Sequence, residues 1–469
     1  MSDQPAQPTQ QEFDILILGA GSGGYAAALR AVQLGFTVGL VEKGKLGGTC
    51  LHNGCIPTKA LLHSAELADH ARDSAKYGVN VELQSIDIAA VNAYKDGIIA
   101  GKYKGLQGLI KSKKGLTVIE GEGKLSSQNT VTVTDAEGKA TAYTGKNIVL
   151  TSGSYSRSLP GLEIGGRVIT SDGALNLDRI PKSAIILGGG VIGSEFASVW
   201  KSFGVDVTII EGLPSLVPNE DATIIKTLER AFKKRGINFS TGIFFQGVEQ
   251  TDDGVKVTLV DGKTFEAELL LVAVGRGPNT AGLGYEEAGI PMDRGFVLAN
   301  ERLHTGVGNI YAIGDIVPGL QLAHRGFQQG IFVAEEIAGL NPVVIKDVNI
   351  PKVTYCDPEI ASIGLTEKLA QEKYGAENVE SKEFNLAGNG KSAIIGTSGT
   401  VKMVRQKDGP IVGVHMIGAR MGEQIGEAQL IVNWEAYPED IAPLLHGHPT
   451  QNEALGEAAM ALAGRPLHG

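Results

Sequence analysis

DILILGAGSGGYAAALRAVQLGFTVGLVE, residues 14–42, decides the fold. An apolar strand (14–18) runs into Gly19-Ala20-Gly21-Ser22-Gly23-Gly24, then a helical AAALRAVQLG, then a second strand, TVGLVE, that closes on Glu42. Apolar run, glycine turn, helical segment and second apolar run make a βαβ unit. Gly19 permits the tight turn, Gly21 lets the backbone approach a pyrophosphate at the helix N-terminus, and Gly24 allows helix and strand to pack closely. Glu42 then suits a pair of ribose hydroxyls.

One such glycine match also describes an ordinary structural turn. Here the pattern recurs at the same spacing: AIIL (184–187), Gly188-Gly189-Gly190-Val191-Ile192-Gly193, SEFASVWKSFG, and DVTIIE ending in Glu211. Two units imply two dinucleotides and an α/β fold with two Rossmann-like domains. A carboxylate at Glu211 accepts hydrogen bonds from a free 2′-hydroxyl and repels a 2′-phosphate, which favours NAD over NADP.

Just after Glu42, GGTCLHNGCIPTK (47–59) carries Cys50 and Cys55. In a regular helix their Cα atoms stand roughly 8–9 Å apart, beyond the ~7 Å that a disulfide spans. A bridge therefore requires a distorted turn, which Gly54 and Pro57 allow. A buried structural pair or two zinc ligands are the other readings. Cys356 is the one further cysteine, so a four-sulfur site cannot be completed and no metal is expected. A redox pair beside the first nucleotide makes flavin the candidate there, with nicotinamide on the second unit.

The 469 residues, 42% hydrophobic and 20% charged, suffice for two to four domains. A net charge of −10 without a basic run argues against nucleic acid. No apolar run approaches the ~20 residues of a membrane helix. Residues 1–13 show neither a secretory nor a transit pattern and read as a disordered tail. With so few cysteines the expected compartment is the cytoplasm. NIYAIGDI (309–316) ends a strand near Asp315, either a cofactor contact or a helix N-cap. From about 348, strands such as KVTYC and GTVKMV alternate with helices in an α+β pattern. LHGHPTQNEA (445–454) holds His446, His448 and Glu453. A lone histidine is commonly a surface or packing residue. Thiol exchange, however, needs a base to form the thiolate, and His448 with Glu453 can supply one.

At these residues, and at AVGRGPNT (273–280), LAH (322–324) and IPKVTYCDPEIASIG (350–364), the chain resembles the flavin-dependent pyridine nucleotide–disulphide oxidoreductases over about 14–460. Within them it is most similar to the branch that oxidises dihydrolipoyl groups. The resemblance implies an FAD-binding domain made of 14–155 and 280–347, an NAD-binding domain at 156–279, and a C-terminal α+β dimerisation domain at 348–469. It implies that Cys55 lies against the flavin, that Cys50 is the interchange thiol, and that Lys59 sits by the flavin paired with Glu195. Gly19, Gly21, Gly24, Glu42, Thr49, Lys59, Gly123, Gly153, Asp315 and Ala323 look like FAD contacts. Gly188, Gly190, Gly193, Glu211, Val248, Gly275 and Arg276 look like the NAD side. His448 and Glu453 would form the base dyad of the partner subunit's site, with a cis His448–Pro449 bond.

The implied activity is oxidation of a dihydrolipoyl group on an acyltransferase or carrier subunit, with NAD⁺ reduced, by a homodimer serving 2-oxo acid dehydrogenase complexes. A rival within the class is reduction of mycothione or glutathione by NAD(P)H. Against glutathione, GLPSLVPNED (212–221) lacks the arginines of the NADP-using members. A rival of another class is a structural subunit of a large assembly. The chain departs from the family pattern in the loop Leu51-His52-Asn53-Gly54, where asparagine is usual at the second place, across TSGSYSRSLPG (151–161), at Cys356 where threonine is usual, and at Gly326-Phe327-Gln328-Gln329.

Overall fold

The computed structural model describes residues 11–468. Its contacts gather into two units. The first holds the chain up to Pro57, Tyr94–Ser156 and Arg276–Ile345; the second holds Thr58–Ala93, Arg157–Gly275 and the chain from Lys346.

At the centre of the first unit, the strand Glu12–Leu18 runs parallel to Val38–Glu42 on one side and to Ala140–Leu150 on the other. Leu116–Glu120 and Ile310–Ala312 extend the parallel sheet outward from these two. Ile15, Leu16 and Ile17 are at most 1% exposed. A strand covered on both faces reads as a continuous apolar run, which is why 14–18 shows no alternation. The long strand Ala140–Leu150 also closes an antiparallel meander with Thr130–Thr134 and Glu122–Ser127. One expectation is corrected. Glu12 and Phe13, assigned to a disordered tail, belong to the first strand, and Phe13 is buried in the core. The polar flank hid this anchor; residues 1–10 of that stretch lie outside the described residues.

The second unit repeats the plan. Its parallel sheet has the order Asn238–Thr241, Asp206–Glu211, Ser183–Leu187, Leu269–Val272, Val168–Ile169, beside a meander of Phe245–Gln250, Val255–Leu259 and Thr264–Ala267. The contacts group this sheet with the C-terminal region as one unit, where the sequence reading has two domains. They also draw in residues 58–93, read as part of the FAD domain. Leu61 and Ala65 explain the second difference, since they are buried in one core with Phe196, Trp200 and Phe203. Helical periodicity marks an apolar face but not the sheet it will cover.

The C-terminal sheet is antiparallel, in the order Lys352–Thr354, Glu359–Gly364, Ile411–Gly418, Thr400–Gln406, Val379–Asn385. Alternation gives it two unlike faces. Ile363, Val401, Met403, Val414 and Met416 pack under the helices Met421–Asn433 and Glu453–Leu462. On the opposite face Ser362, His415 and Lys402 stand in register across three strands. There Lys402 Nζ donates to Asp221 at 2.8 Å and Glu367 at 2.7 Å, and Ser362 Oγ donates to Glu220 at 2.6 Å. Asp221 also caps the helix Ala222–Arg235 by accepting from the Thr223 amide.

Burial pushes the Asp221 carboxyl up, yet the bonds from Lys402 and the Thr223 amide outweigh it and the net direction is down. Burial likewise pushes Lys402 down, and its carboxylate partners reverse that. Asp221 therefore stabilises the fold above the ordinary carboxylate range and loses this as pH falls. Lys402 does so below the ordinary lysine range and loses it as pH rises through its raised value. Lys402→Ala strands a buried carboxylate and is expected to cost about 3–5 kcal/mol, read as a lower denaturant midpoint.

Candidate active site

The two glycine loops are superimposable in their constraints. Gly19 has φ +108° and Gly188 φ +110°, a region open to glycine, and a Cβ at either would stand 2.3 or 2.4 Å from a backbone carbonyl oxygen. A Cβ at Gly24 would meet the Gly19 carbonyl oxygen at 1.9 Å, and one at Gly193 the Gly188 oxygen at 1.9 Å. Around Gly21 and Gly190 the space is open, and each is the N-cap of its helix, Ser22–Gln33 or Val191–Ser202. Helix termini free of side chains are what a pyrophosphate needs.

The closing acids match as well. Glu42 accepts from the amides of Ala20 at 2.7 Å and Gly44 at 2.8 Å; Glu211 accepts from Gly189 at 2.7 Å and Leu213 at 2.8 Å. An ionised carboxylate has about four acceptor positions, so each keeps capacity for a ribose diol. In the first unit a cavity of about 470 Å³ is lined by Gly19, Gly21, Glu42, Thr49, Gly123 and Gly153. These residues fit an adenine dinucleotide. Glu211→Ala removes hydrogen bonds to a 2′-hydroxyl and repulsion of a 2′-phosphate, each worth about 1–3 kcal/mol. The preference for NAD⁺ over NADP⁺, measured as the ratio of kcat/KM, is expected to shrink by at least tenfold.

Asp315 lies in a short turn, Gly314–Ile316, and caps no helix. Its carboxylate accepts from Ser154 Oγ at 2.5 Å, and Arg276 donates to the same Ser154, from Nε to Oγ at 2.8 Å and from Nη2 to the carbonyl at 2.8 Å. Arg276, expected on the nicotinamide side, is thus tied to Ser154 and Asp315 within the first unit. Ser154 itself carried no signal in the sequence. Ala323 opens the helix Ala323–Ile337, Val248 packs beside the second unit's core, and Gly275 takes the Arg157 amide on its carbonyl at 3.0 Å.

The cysteines sit on two helices rather than on one bent turn. Gly48–His52 carries Cys50, the chain breaks at Asn53 and Gly54, and Cys55 opens Cys55–Asp73. Pro57 falls in the first turn of that second helix, where its missing N–H leaves no bond unmade. The segment is fastened to the first glycine loop. The Gly47 amide donates to the Ala20 carbonyl at 2.9 Å, and a Cβ at Gly48 would lie 2.8 Å from Gly21 Cα. Both cysteines are half-buried. His52 is anchored to the Leu46 carbonyl at 2.9 Å and edge-on to Tyr103. Cys356, by contrast, is fully buried, and burial pushes its thiol well above the ordinary range; it is an inert core residue.

In the second unit, Lys59 Nζ donates to both oxygens of Glu195 at 2.8 Å, while the Tyr355 amide donates to the same carboxylate at 3.0 Å. Glu195 is 3% exposed, so these bonds are what allow a charge there. The Tyr355 ring lies under Lys59 Nζ at 4.7 Å, a cation–π contact absent from the sequence reading.

His448 Nδ1 bonds Glu453 Oε1 at 2.8 Å, and Glu453 Oε2 accepts from the Thr450 amide at 2.8 Å. The His448–Pro449 bond is cis, as is Asp357–Pro358. Glu453 is the first residue of its helix, where the macrodipole favours an anion. Burial raises its carboxyl, but the Thr450 amide and His448 bring it below the ordinary range. Its hold on the loop is present at neutral pH and lost as pH falls through that lowered value. A second pair, His446 with Glu427 at 2.8 Å, lies beside it.

Two dinucleotide units, a cysteine pair fastened to the first of them, and a histidine–glutamate dyad define a class. The chain belongs to the pyridine nucleotide–disulphide oxidoreductase family, which it matches over residues 13–330, and it carries that family's dimerisation domain over 350–459. It is accordingly an oxidoreductase whose cofactors are FAD and NAD(H). Among its relatives are the dihydrolipoyl dehydrogenase of Bacillus subtilis, 41% identical over 97% of this chain and 99% of that one, and the mitochondrial enzyme of Pisum sativum, 41% identical over 97% and 93%. Among solved structures, LpdA of Mycobacterium tuberculosis matches with a TM-score of 0.89 at 27% identity, covering 96% of this chain and 99% of that one.

Proposed function

We propose that this chain oxidises a protein-bound dihydrolipoyl group to the cyclic disulphide and delivers the two electrons to NAD⁺. The observation that carries the reading is the pair Cys50 and Cys55 set at a helix break and fastened to the first dinucleotide loop through Gly47 and Gly48. The relatives named dihydrolipoyl dehydrogenase support the choice of dithiol.

In this reading the resting pair is a disulphide. His448 of the partner subunit, oriented by its glutamate, takes the proton of a substrate thiol. The resulting thiolate attacks Cys50 Sγ, a substrate–Cys50 bond forms as the Cys50–Cys55 bond breaks, and Cys55 leaves as a thiolate. The second substrate thiol attacks its own mixed disulphide, closing the lipoyl ring and releasing Cys50. The substrate has lost two electrons and the cysteine pair has gained them. When bound, FAD supplies the two-electron link from the pair to nicotinamide. Gly19, Gly21, Gly24, Glu42, Thr49, Gly123, Gly153, Asp315 and Ala323 are assigned to hold it, Lys59 with Glu195 to its flavin side, and the loop 188–193 with Glu211, Val248, Gly275 and Arg276 to NAD. The domains proposed are an FAD-binding domain of 14–155 and 280–347, to which Glu12 and Phe13 of the first strand are added, an NAD-binding domain of 156–279 and a dimerisation domain from 348. The setting proposed is the cytoplasm; among the described residues no helix is long and apolar enough to cross a membrane.

The test is an anaerobic assay of the purified protein with dihydrolipoamide and NAD⁺, beside mycothione and glutathione disulphide with NADH and NADPH. Turnover should be confined to the first pair. Faster reduction of either low-molecular-weight disulphide would overturn the assignment.

A further inference from the structure

His448 is an exposed base, its side chain 77% accessible, on a short loop between the end of one helix and Glu453. Glu453 fixes the ring and, through the Thr450 amide, holds the part of the loop after the base, which leaves the part before it to be held by something else. An exposed loop loses its ordering free energy each time it must adopt one conformation, so a base held this way needs a brace to act as a preformed group.

That brace is visible on the neighbouring helix, Met421–Asn433. Glu427 accepts from His446 Nε2 at 2.8 Å through one carboxylate oxygen and from Asn452 Nδ2 through the other. His446 lies two residues before the base and Asn452 four after it, directly before Glu453. One carboxylate thus grips both ends of the segment 446–452. Inside the grip the segment closes on itself: Thr450 Oγ1 donates to the Gly447 carbonyl at 2.6 Å, and Asn389 Nδ2 holds the Thr450 carbonyl at 2.9 Å. The His446 ring, 12% accessible, lies against Gly456, where a Cβ would come within 2.7 Å of Nδ1. The glycine leaves room for the ring, which bonds the Glu427 carboxylate and has the Leu444 backbone as a second partner.

We propose that Glu427 is the positioning residue for the base: by bonding His446 and Asn452 together it presets the loop that offers His448 to the substrate thiol of the partner subunit's site. Glu427 touches no reacting atom. The proposal rests on the assignment of His448 as base. Its bonds raise the His446 titration, the carboxylate of Glu427 first among the causes, so the pair is charge-assisted as well as directional. A glutamine at 427 can still accept from Asn452 and meet His446, without the charge. An alanine can do neither.

The experiment uses the flavin-loaded dimer of the full chain with Glu427→Ala, Glu427→Gln and Asn452→Ala. Stopped-flow absorbance follows reduction from the dithiol end by dihydrolipoamide and, separately, from the other end by NADH. Hydrogen exchange is read on peptides covering 443–453. Glu427→Ala should slow reduction by dihydrolipoamide roughly 10- to 100-fold, leave reduction by NADH within about twofold, and speed exchange in that peptide alone. Asn452→Ala, which cuts one arm, should fall between it and the unmodified protein, and Glu427→Gln should restore most of the rate. Equal slowing from both ends, unchanged reduction by dihydrolipoamide, or unchanged exchange would overturn the proposal. Should Glu427→Ala fail to assemble, the Gln and Asn452 variants decide by the same criteria. If the unmodified protein is not reduced by dihydrolipoamide, the proposed function falls, and the exchange data alone judge the brace.

Discussion

A heterodimer that joins a Cys50→Ser chain to a His448→Gln chain is expected to recover close to half the dihydrolipoamide activity of the unmodified dimer. Each parent homodimer should be nearly inactive. Loss of a general base alone costs roughly 10²–10⁴-fold, and a chain without Cys50 has no sulfur for the incoming thiolate to attack. The recovery follows from symmetry. In the proposed mechanism a site takes its cysteines from one chain and its base from the other, and an isologous dimer repeats that sharing at both sites. The heterodimer therefore holds one site with Cys50 and His448 both intact and one with both replaced. Differently tagged chains, co-expressed and purified through both tags, make the measurement direct. If the doubly tagged species is no more active than its parents, the base works within its own chain.

The second large effect separates the two nucleotide sites by twin substitutions. Gly24→Ala forces a methyl group to 1.9 Å from the Gly19 carbonyl oxygen, and Gly193→Ala does the same to Gly188. Neither contact can be relieved by a flexible side chain, because both partners are backbone. The loop or the helix must shift, and overpacking of this kind costs about 1–3 kcal/mol or more. Gly24→Ala is expected to purify without flavin, colourless and inactive. Gly193→Ala should purify yellow, with its KM for NAD⁺ raised by at least ~10-fold, since each 1.4 kcal/mol is a factor of ten. A flavin-replete Gly24→Ala protein would contradict the assignment of the first loop.

Much of this was legible because it is local. Each dinucleotide unit is written in fewer than thirty consecutive residues, so strand, turn, helix and closing acid appear in reading order. The break between the cysteines was legible only in part: Gly54 falls in it, whereas Pro57, read as a second source of distortion, sits in the first turn of the helix that follows. The dyad of His448 and Glu453 spans five positions. What escaped is long-range. Ser154 meets Arg276 across 122 positions, and Lys402 meets Asp221 across 181. In GTVKMV the alternation announces a strand and makes Lys402 look solvent-facing, whereas both faces of that sheet are covered. His446 was seen, but its partner Glu427 lies in a helix with no motif of its own. Spacing reports which face a residue occupies; it is silent on what will come to meet that face.

The register of Ser362, His415 and Lys402 bears on how this chain can be recombined. A chimera that exchanges the C-terminal region at residue 348 with that of a homologue separates Ser362 and Lys402 from Glu220 and Asp221, which bond them from the other side of the cut. Unless the donor carries the same charges at the same rungs, a buried ammonium or carboxylate is orphaned. The viable crossover is upstream of Glu220, so that the helix cap and the sheet travel as one inherited module.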